Sequence, residues 1–229
     1  MNLRRPWIRM KLASSLDGGT ALLNGQSQWI TGEAARTDGH AWRARSNVVL
    51  TGIGTVLQDN PRLDVRLIQT DKQPDLVIVD SHLQTPPDAH LFLIPRAVYI
   101  YSAEQNSLKK LVLEAMGATV IHLPLPNGKV DLAAMLQDLA ERGVKEVHVE
   151  AGHKLNGSLI RENLVDEFLI YLAPKLLGEA QGMASFGPLD SLSEALELEF
   201  LEVRMIEADV FLRARVTGKN HQAQLSSPV

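Results

Sequence analysis

Apolar residues cluster in short runs of strand length at positions 7–12, 48–50, 76–79, 97–101, 119–122 and 147–149. Between these runs the apolar positions recur every three to four residues, which predicts helices over 33–45, 104–116, 132–142 and 155–163. Gly117 and Gly143 stand just past two of the predicted helices, where a left-handed cap favours glycine. Thr31 precedes the first helix as a natural N-cap. Alternating strands and helices predict an α/β chain whose mostly parallel central sheet is flanked by helices. The final third changes character, because 167–173, 198–204 and 210–216 read as strands with only a short helix at 192–196 among them. Antiparallel C-terminal strands are expected there.

No repeat, heptad run or low-complexity block interrupts this pattern, and the proline-bearing stretches 85–88 and 124–128 are loops after which strand signals resume. One domain over residues 1–217 is expected, followed by a polar tail at 218–229 that should fray.

Composition narrows the partners. With 45% hydrophobic residues in 229, the chain can furnish a proper core. A formal net charge of -4 gives no general attraction for nucleic acid or for an anionic membrane, so an anionic ligand must be held by a few placed cations. The absence of cysteine rules out disulfides, a thiolate nucleophile and a cysteine-ligated zinc site, and it agrees with a reducing compartment. No stretch approaches the roughly 20 apolar residues of a membrane-spanning helix, and the first residues lack an apolar leader. A cytoplasmic location is expected.

Two places look like anion cradles. Strand 48–50 runs into Thr51-Gly52-Ile53-Gly54-Thr55, half of a dinucleotide fingerprint, with Leu57 where a third glycine would stand. Strand 147–149 leads into Glu150-Ala151-Gly152-His153-Lys154, where Gly152 permits close backbone approach to a ligand. Ligands of such sheets bind beyond the carboxyl ends of the strands, which singles out Asp80, Ser81 and Glu150. Glu150 suits either substrate binding or capping of the next helix. Arg43 and Arg66 suit a phosphate, which arginine grips with permanent charge, or plain surface solvation. Trp29 offers a flat face for a heterocycle, or rim packing. The histidines show no metal-ligand spacing, so no metal site is expected, and no G-x-S-x-G elbow is present.

The segment from Met10 to Gly18, then Ser27-Gln28-Trp29-Ile30-Thr31, the run from Leu50 to Leu63, Val149-Glu150-Ala151-Gly152 and Ala173-Pro174-Lys175-Leu176-Leu177-Gly178 keep one order and spacing. Together they closely resemble the reductase domain of the bacterial bifunctional riboflavin biosynthesis deaminase-reductases. The resemblance implies a dihydrofolate-reductase-like fold, NADPH as hydride donor, and a homodimer. It implies reduction of 5-amino-6-(5-phosphoribosylamino)uracil to its phosphoribitylamino form, with a small phosphorylated pyrimidine as substrate. By position, cofactor contacts fall on Ala13, Trp29, Thr55, Asp59, Ser81, Gly152, His153, Lys154, Leu155, Asn156, Gly157 and Ser158. Substrate contacts fall on Ser27, Arg43, Leu63, Arg66 and Glu150, with the two arginines on the phosphate; if the reaction needs a general acid, Asp59 or Glu150 is the candidate side chain, and a bound water is the alternative.

The chain departs from that pattern in places. Gly19 stands where the family often has arginine, and His153-Lys154 replaces a common Pro-Thr pair, which brings Lys154 into consideration for the cofactor's 2'-phosphate. A deaminase zinc site needs cysteines that this chain lacks, so it reads as an excised domain or a stand-alone reductase with a separate deaminase. Two other readings stand beside this one: a pterin or folate reductase of the same fold, and a non-catalytic NADPH-binding dimeric module.

Overall fold

In a computed structural model, residues 5–218 are described. Along the chain run β1 (Trp7–Ser15), β2 (Ala21–Leu22), α1 (Glu33–Arg45), β3 (Val48–Gly52), α2 (Ile53–Asp59), β4 (Asp75–Val79), β5 (Val98–Ser102) and α3 (Ser107–Ala115). They are followed by β6 (Ala118–His122), α4 (Leu132–Glu141), β7 (Glu146–Val149), α5 (His153–Arg161), β8 (Glu167–Ala173), β9 (Ala180–Gln181), β10 (Leu198–Ile206) and β11 (Asp209–Val216). These form two compact units, one built on His40–Gly152 and the other on Trp7–Gly39 with the chain from His153 onward.

The first unit holds a parallel sheet in the order β7-β3-β4-β5-β6. Its strands read as continuous apolar runs because both faces are covered: Val48, Val49, Leu50, Leu76, Val77, Ile78 and Ile100 are all inaccessible to solvent. Burying side chains of this size contributes roughly 1.5–3 kcal/mol each, so this strand core dominates the unit's cohesion. Helices α3 and α4 start where side chains can take up free N–H groups. Asn106 accepts from Lys109 N and Asp131 from Ala134 N, capping α3 and α4. The cap at Asn106 is why α3 begins three residues later than its apolar period suggested: Glu104 N donates to Ser102 Oγ instead. Gly117 and Gly143 follow α3 and α4 with φ of +89° and +85°, as their glycines foretold.

The second unit pairs β10-β11-β8-β1 and, separately, β2 with β9. Here one expectation is corrected. β8 runs parallel to β1, from Arg9 opposite Glu167 to Ser15 opposite Ala173, and only β11 and β10 are antiparallel additions. β8 arrives after helix α5, and a helical crossover restores the strand direction, whereas the tight turn between β10 and β11 reverses it. Thr31 is also not the cap of α1. Gly32 O accepts from Arg36 N at 3.2 Å and Gly32 N donates to Asp209 Oδ2 at 2.7 Å, so a carboxylate from β11 sits at the start of that helix. The segment expected as a helix at 192–196 is a single 3-10 turn, Leu192–Glu194. Glu167, almost fully buried, is satisfied by Trp7 Nε1, Arg9 Nε and Arg213 Nε. Among the described residues no helix is long and apolar enough to cross a membrane. Of the expected tail, 219–229 lies outside the described residues.

Candidate functional site

The glycine turns of the two predicted cradles, at Gly52 to Gly54 and at Gly152, lie side by side in the first unit. β3 and β7 are paired with Leu50 opposite Val149, and Glu150 N donates to Leu50 O at 2.9 Å as the strands end. A Cβ added to Gly152 would stand 3.8 Å from Thr55 Oγ1, which fixes the distance between the turn after β7 and the first turn of α2. Unlike α3 and α4, α2 has no side-chain cap: Gly52 precedes it, and Gly54 has open space where a Cβ would be. Its first N–H groups are left to solvent or to an anion.

A buried charge network lies next to this turn. Arg43, at the end of α1, donates from Nε and Nη2 to the two Glu150 oxygens at 2.7 and 2.9 Å, and from Nη1 to the Asp64 carbonyl. His148 Nε2 stands 3.3 Å from Glu150 Oε1. Burial alone would raise the Glu150 carboxyl, but the Arg43 guanidinium and His148 outweigh it and hold it well below the ordinary range. Glu150 is therefore an anion that bonds to Arg43, and it does not cap α5.

Arg66 belongs to the same network. Its backbone N–H donates to His40 Nδ1 at 3.2 Å, and its Nη1 lies 2.7 Å from Asp64 Oδ1. His40 is buried, and that burial together with Arg43 and Arg66 lowers its pKa to about 4, so the ring is a neutral acceptor at physiological pH. Leu63 adopts φ +50°, and Arg96 Nη1 donates to its carbonyl at 2.6 Å. Asp59 closes α2 before the left-handed Asn60; desolvation raises its carboxyl above the usual value. Ser81 follows β4 and its carbonyl accepts from Ala103 N and Ser102 Oγ. Asp80 is turned inward, with Oδ2 accepting from both Thr85 N and Thr85 Oγ1, so it shapes the turn that presents Ser81.

The other expected contacts belong to the second unit. Ala13 is on β1 opposite Tyr171, and Ser27 is half-buried. Trp29 is exposed, with the Arg36 guanidinium 4.5 Å from its ring centroid and Lys175 Nζ donating to the Trp29 and Ile30 carbonyls at 3.0 and 2.7 Å. His153, Lys154, Leu155 and Ser158 lie along α5 with exposed or half-buried side chains, whereas Asn156 and Gly157 are buried. Asn156 Nδ2 donates to the Met183 carbonyl, Ser185 N donates to the His153 carbonyl, and a Cβ at Gly157 would collide with the Ser185 backbone. These two residues thus seat the 183–185 segment on the helix.

Sequence reasoning missed His40, Asp64, His148 and Arg96. Asp64 left a readable sign: Arg62, Asp64 and Arg66 are spaced by two, which in an extended chain puts all three on one side. His148 left a similar sign, standing two residues before Glu150, whereas His40 and Arg96 left none, since their partners are distant in sequence.

The RibD C-terminal domain family matches residues 6–212. Riboflavin biosynthesis protein RibD of Escherichia coli (strain K12) is 35% identical over 222 residues, covering 90% of this chain and 59% of that protein. The Bacillus amyloliquefaciens protein of the same name is 36% identical over 213 residues, 91% of this chain and 57% of its own. The chain thus spans a little under three-fifths of the length of these curated relatives. Among solved structures, Acinetobacter baumannii RibD (form 2) superposes with a TM-score of 0.83 at 33% identity, covering 95% of this chain and 59% of that one. A Thermotoga maritima diaminohydroxyphosphoribosylaminopyrimidine deaminase/5-amino-6-(5-phosphoribosylamino)uracil reductase gives 0.75 at 25%, covering 93% and 57%. The Saccharomyces Rib7 reductase, at 22% identity and 0.68, shares the fold over 95% of this chain and 92% of its own. Mostly parallel strands flanked by helices, the dihydrofolate-reductase-like class expected from the sequence, describe this fold.

Proposed function

Since the chain belongs to the RibD C-terminal domain family, we propose that it reduces 5-amino-6-(5-phosphoribosylamino)uracil to 5-amino-6-(5-phosphoribitylamino)uracil with NADPH. The observation that carries this reading is the Arg43–Glu150 pair, with Arg66 attached to it through Asp64, at the carboxyl ends of β3 and β7. Such a cluster offers an anionic acceptor for ring N–H groups and an exposed guanidinium for a sugar phosphate. The uncapped start of α2, exposed Gly54 and the neighbouring Gly152 suit the diphosphate of a dinucleotide, which is the fit expected of NADPH. Ala13, Trp29, Thr55, Ser81 and the α5 residues His153, Lys154, Leu155 and Ser158 are the further cofactor contacts in this reading. Asn156 and Gly157, which are buried on α5 and seat the 183–185 segment, complete the set of cofactor residues in this reading.

NADPH, when bound, supplies a hydride. Reduction would take place at C1' of the ring-opened imine, with a proton taken up by the nitrogen, so the protein's task is to align the substrate, exclude water and supply that proton. Two carboxyls were candidates for the proton. Glu150 is held as an anion and so serves as an acceptor that orients the uracil, with Ser27 and Leu63 as further substrate contacts. Asp59, whose carboxyl is raised by desolvation, is the donor.

A second copy of the chain is proposed to cover β10. A regular strand would put Phe200 and Val203 on opposite faces, but the register shift between Phe200 and Glu202 inserts a residue and brings them to the same one. Phe200, Val203 and Met205 are each more than 60% exposed, and across the ladder they face Ala214, Leu212 and Val210, which continue to Phe168, Ile170 and Leu172 of β8. An apolar face this continuous is suited to a twofold partner. Deamination of the precursor is assigned to a separate protein or domain, because this chain has no cysteine for a zinc site.

The test is to supply the deaminated phosphoribosylamino-uracil with NADPH and follow loss of reduced-nicotinamide absorbance. Stoichiometric oxidation with formation of the ribitylamino product is expected. Folded protein that leaves the absorbance unchanged would overturn the assignment, and tight inhibition by an antifolate would redirect it to a pterin substrate.

A further inference from the structure

The segment Asn60 to Arg66 has no regular secondary structure, yet its backbone is held by side chains from around it. Arg43 donates to the Asp64 carbonyl, and Arg96 to the carbonyls of Arg62 and Leu63. Gln73 both donates to and accepts from Val65, at 2.8 and 2.7 Å, and His40 accepts from Arg66 N. A loop pinned in this way presents its side chains from a fixed frame.

Within that frame Asp64 gathers two arginines. Its Oδ1 lies 2.7 Å from Arg66 Nη1 and its Oδ2 3.3 Å from Arg62 Nε. The carboxylate itself is shielded, with 4% of its side chain exposed, while Arg62 and Arg66 expose 52% and 46% of theirs. The two guanidinium groups hold the carboxyl of Asp64 below its ordinary value against the pull of burial. Each arginine reaches Asp64 through one nitrogen only, which leaves its remaining N–H groups turned to solvent. Four guanidinium groups, Arg43, Arg62, Arg66 and Arg96, then stand against three carboxylates, Asp64, Asp75 and Glu150, and His40 is neutral. The surplus is positive, and it is carried by the exposed pair.

We infer that Arg62 is a second guanidinium arm beside Arg66, the arginine expected on the phosphate monoester, and that the buried carboxylate of Asp64 is the positioning residue that aims both. This two-armed clamp rests on the reading proposed above for its ligand, the terminal phosphate of the sugar chain. Arg43 then serves the other end of the substrate through Glu150. Both arginines contribute N–H donors in fixed orientation, the arrangement that recognises a tetrahedral dianion better than a single mobile lysine would.

The experiment compares Arg62→Met, Arg62→Lys and Asp64→Asn with the unaltered enzyme on the phosphorylated substrate and on its dephosphorylated counterpart, and separately titrates ribose 5-phosphate by NMR. Arg62→Met should raise KM for the phosphorylated substrate about five- to tenfold with kcat within twofold, and leave the dephosphorylated compound unaffected. Arg62→Lys should recover part of the loss. Asp64→Asn should show the same phosphate-specific penalty; a merely structural role would penalise both compounds alike. Equal KM values for Arg62→Met and the unaltered enzyme, with reduction proceeding normally, overturn the clamp and leave the reductase reading intact. Absence of reduction alongside Arg62-dependent binding of ribose 5-phosphate overturns the reductase reading and leaves the clamp standing. Should Asp64→Asn fail to fold, the two Arg62 variants still decide.

Discussion

Glu150 and Arg43 meet in a two-point ion pair, 2.7 Å at Nε and 2.9 Å at Nη2, between the end of a strand and the end of a helix 107 residues apart in sequence. The pair is largely shielded from solvent, with 15% and 9% of the side chains exposed, so neither charge has water to fall back on. Removing one partner strands the other.

Arg43→Met and Glu150→Gln should therefore each destabilise the protein by about 3 kcal/mol, measured by denaturant unfolding. The double variant Arg43→Met/Glu150→Met should recover much of that stability while remaining inactive, because the loss comes from an uncompensated charge. Since the folded carboxyl of Glu150 is lowered beneath its ordinary 4.5, this contribution is complete above pH 4.5 and is lost as pH falls through the folded value. Acid unfolding of Glu150→Gln should accordingly be less steep than that of the unaltered protein.

His40 supplies a second pH dependence of the same sign. Its folded pKa of about 4 lies below the ordinary 6.5, so between those values the unfolded chain binds the extra proton. Stability should be complete above pH 6.5 and decline through the window down to pH 4, by roughly 3 kcal/mol in total. A His40 ring resonance that titrates near 6.5 by NMR would contradict this.

Asp59→Asn should lower kcat on the order of 100-fold and remove the decline in rate at high pH that deprotonation of a raised carboxyl produces. A pH–rate profile unchanged by the substitution would pass the proton to a bound water.

Gly157→Ala should cost about 2–3 kcal/mol, since the new methyl group meets the Ser185 backbone and one of the two segments must move. Limited proteolysis near 183–185 should accelerate with it. Gly54→Ala serves as the control, because a Cβ there meets nothing and alanine favours the helix, so thermal unfolding should not fall.

The β10 face gives a fifth expectation. Val203→Glu and Met205→Glu should convert a dimer to a monomer in sedimentation or light scattering, with the monomer still folded. Dimers that persist through both changes would place the interface elsewhere.

Much of this fold could be read in advance from the chain. α1 falls where its apolar spacing indicates, and Gly117 and Gly143 mark two helix ends through a backbone angle that only glycine takes easily. The direction of β8 could not be read, since strand periodicity carries no sign of direction and only the preceding crossover decides it. β2 and β9, two residues each, are too short to show any alternation. The same limit governs the site. Arg43, Arg66 and Glu150 were identified by chemical type and resemblance, whereas their linkage through Asp64 depends on contacts that only the folded chain creates. Thr31 illustrates a local signal overridden from afar: the residue type suits a cap, but a carboxylate from β11 reaches Gly32 first.

The loop from Asn60 to Arg66 is written into the protein elsewhere than in its own seven letters. A peptide copy would not keep its shape, and a graft into a relative should fail unless His40, Arg43, Gln73 and Arg96 travel with it. Variation in this corner of the molecule is thus constrained to move in concert, and an isolated change at a remote position such as Arg96 should surface as altered substrate affinity.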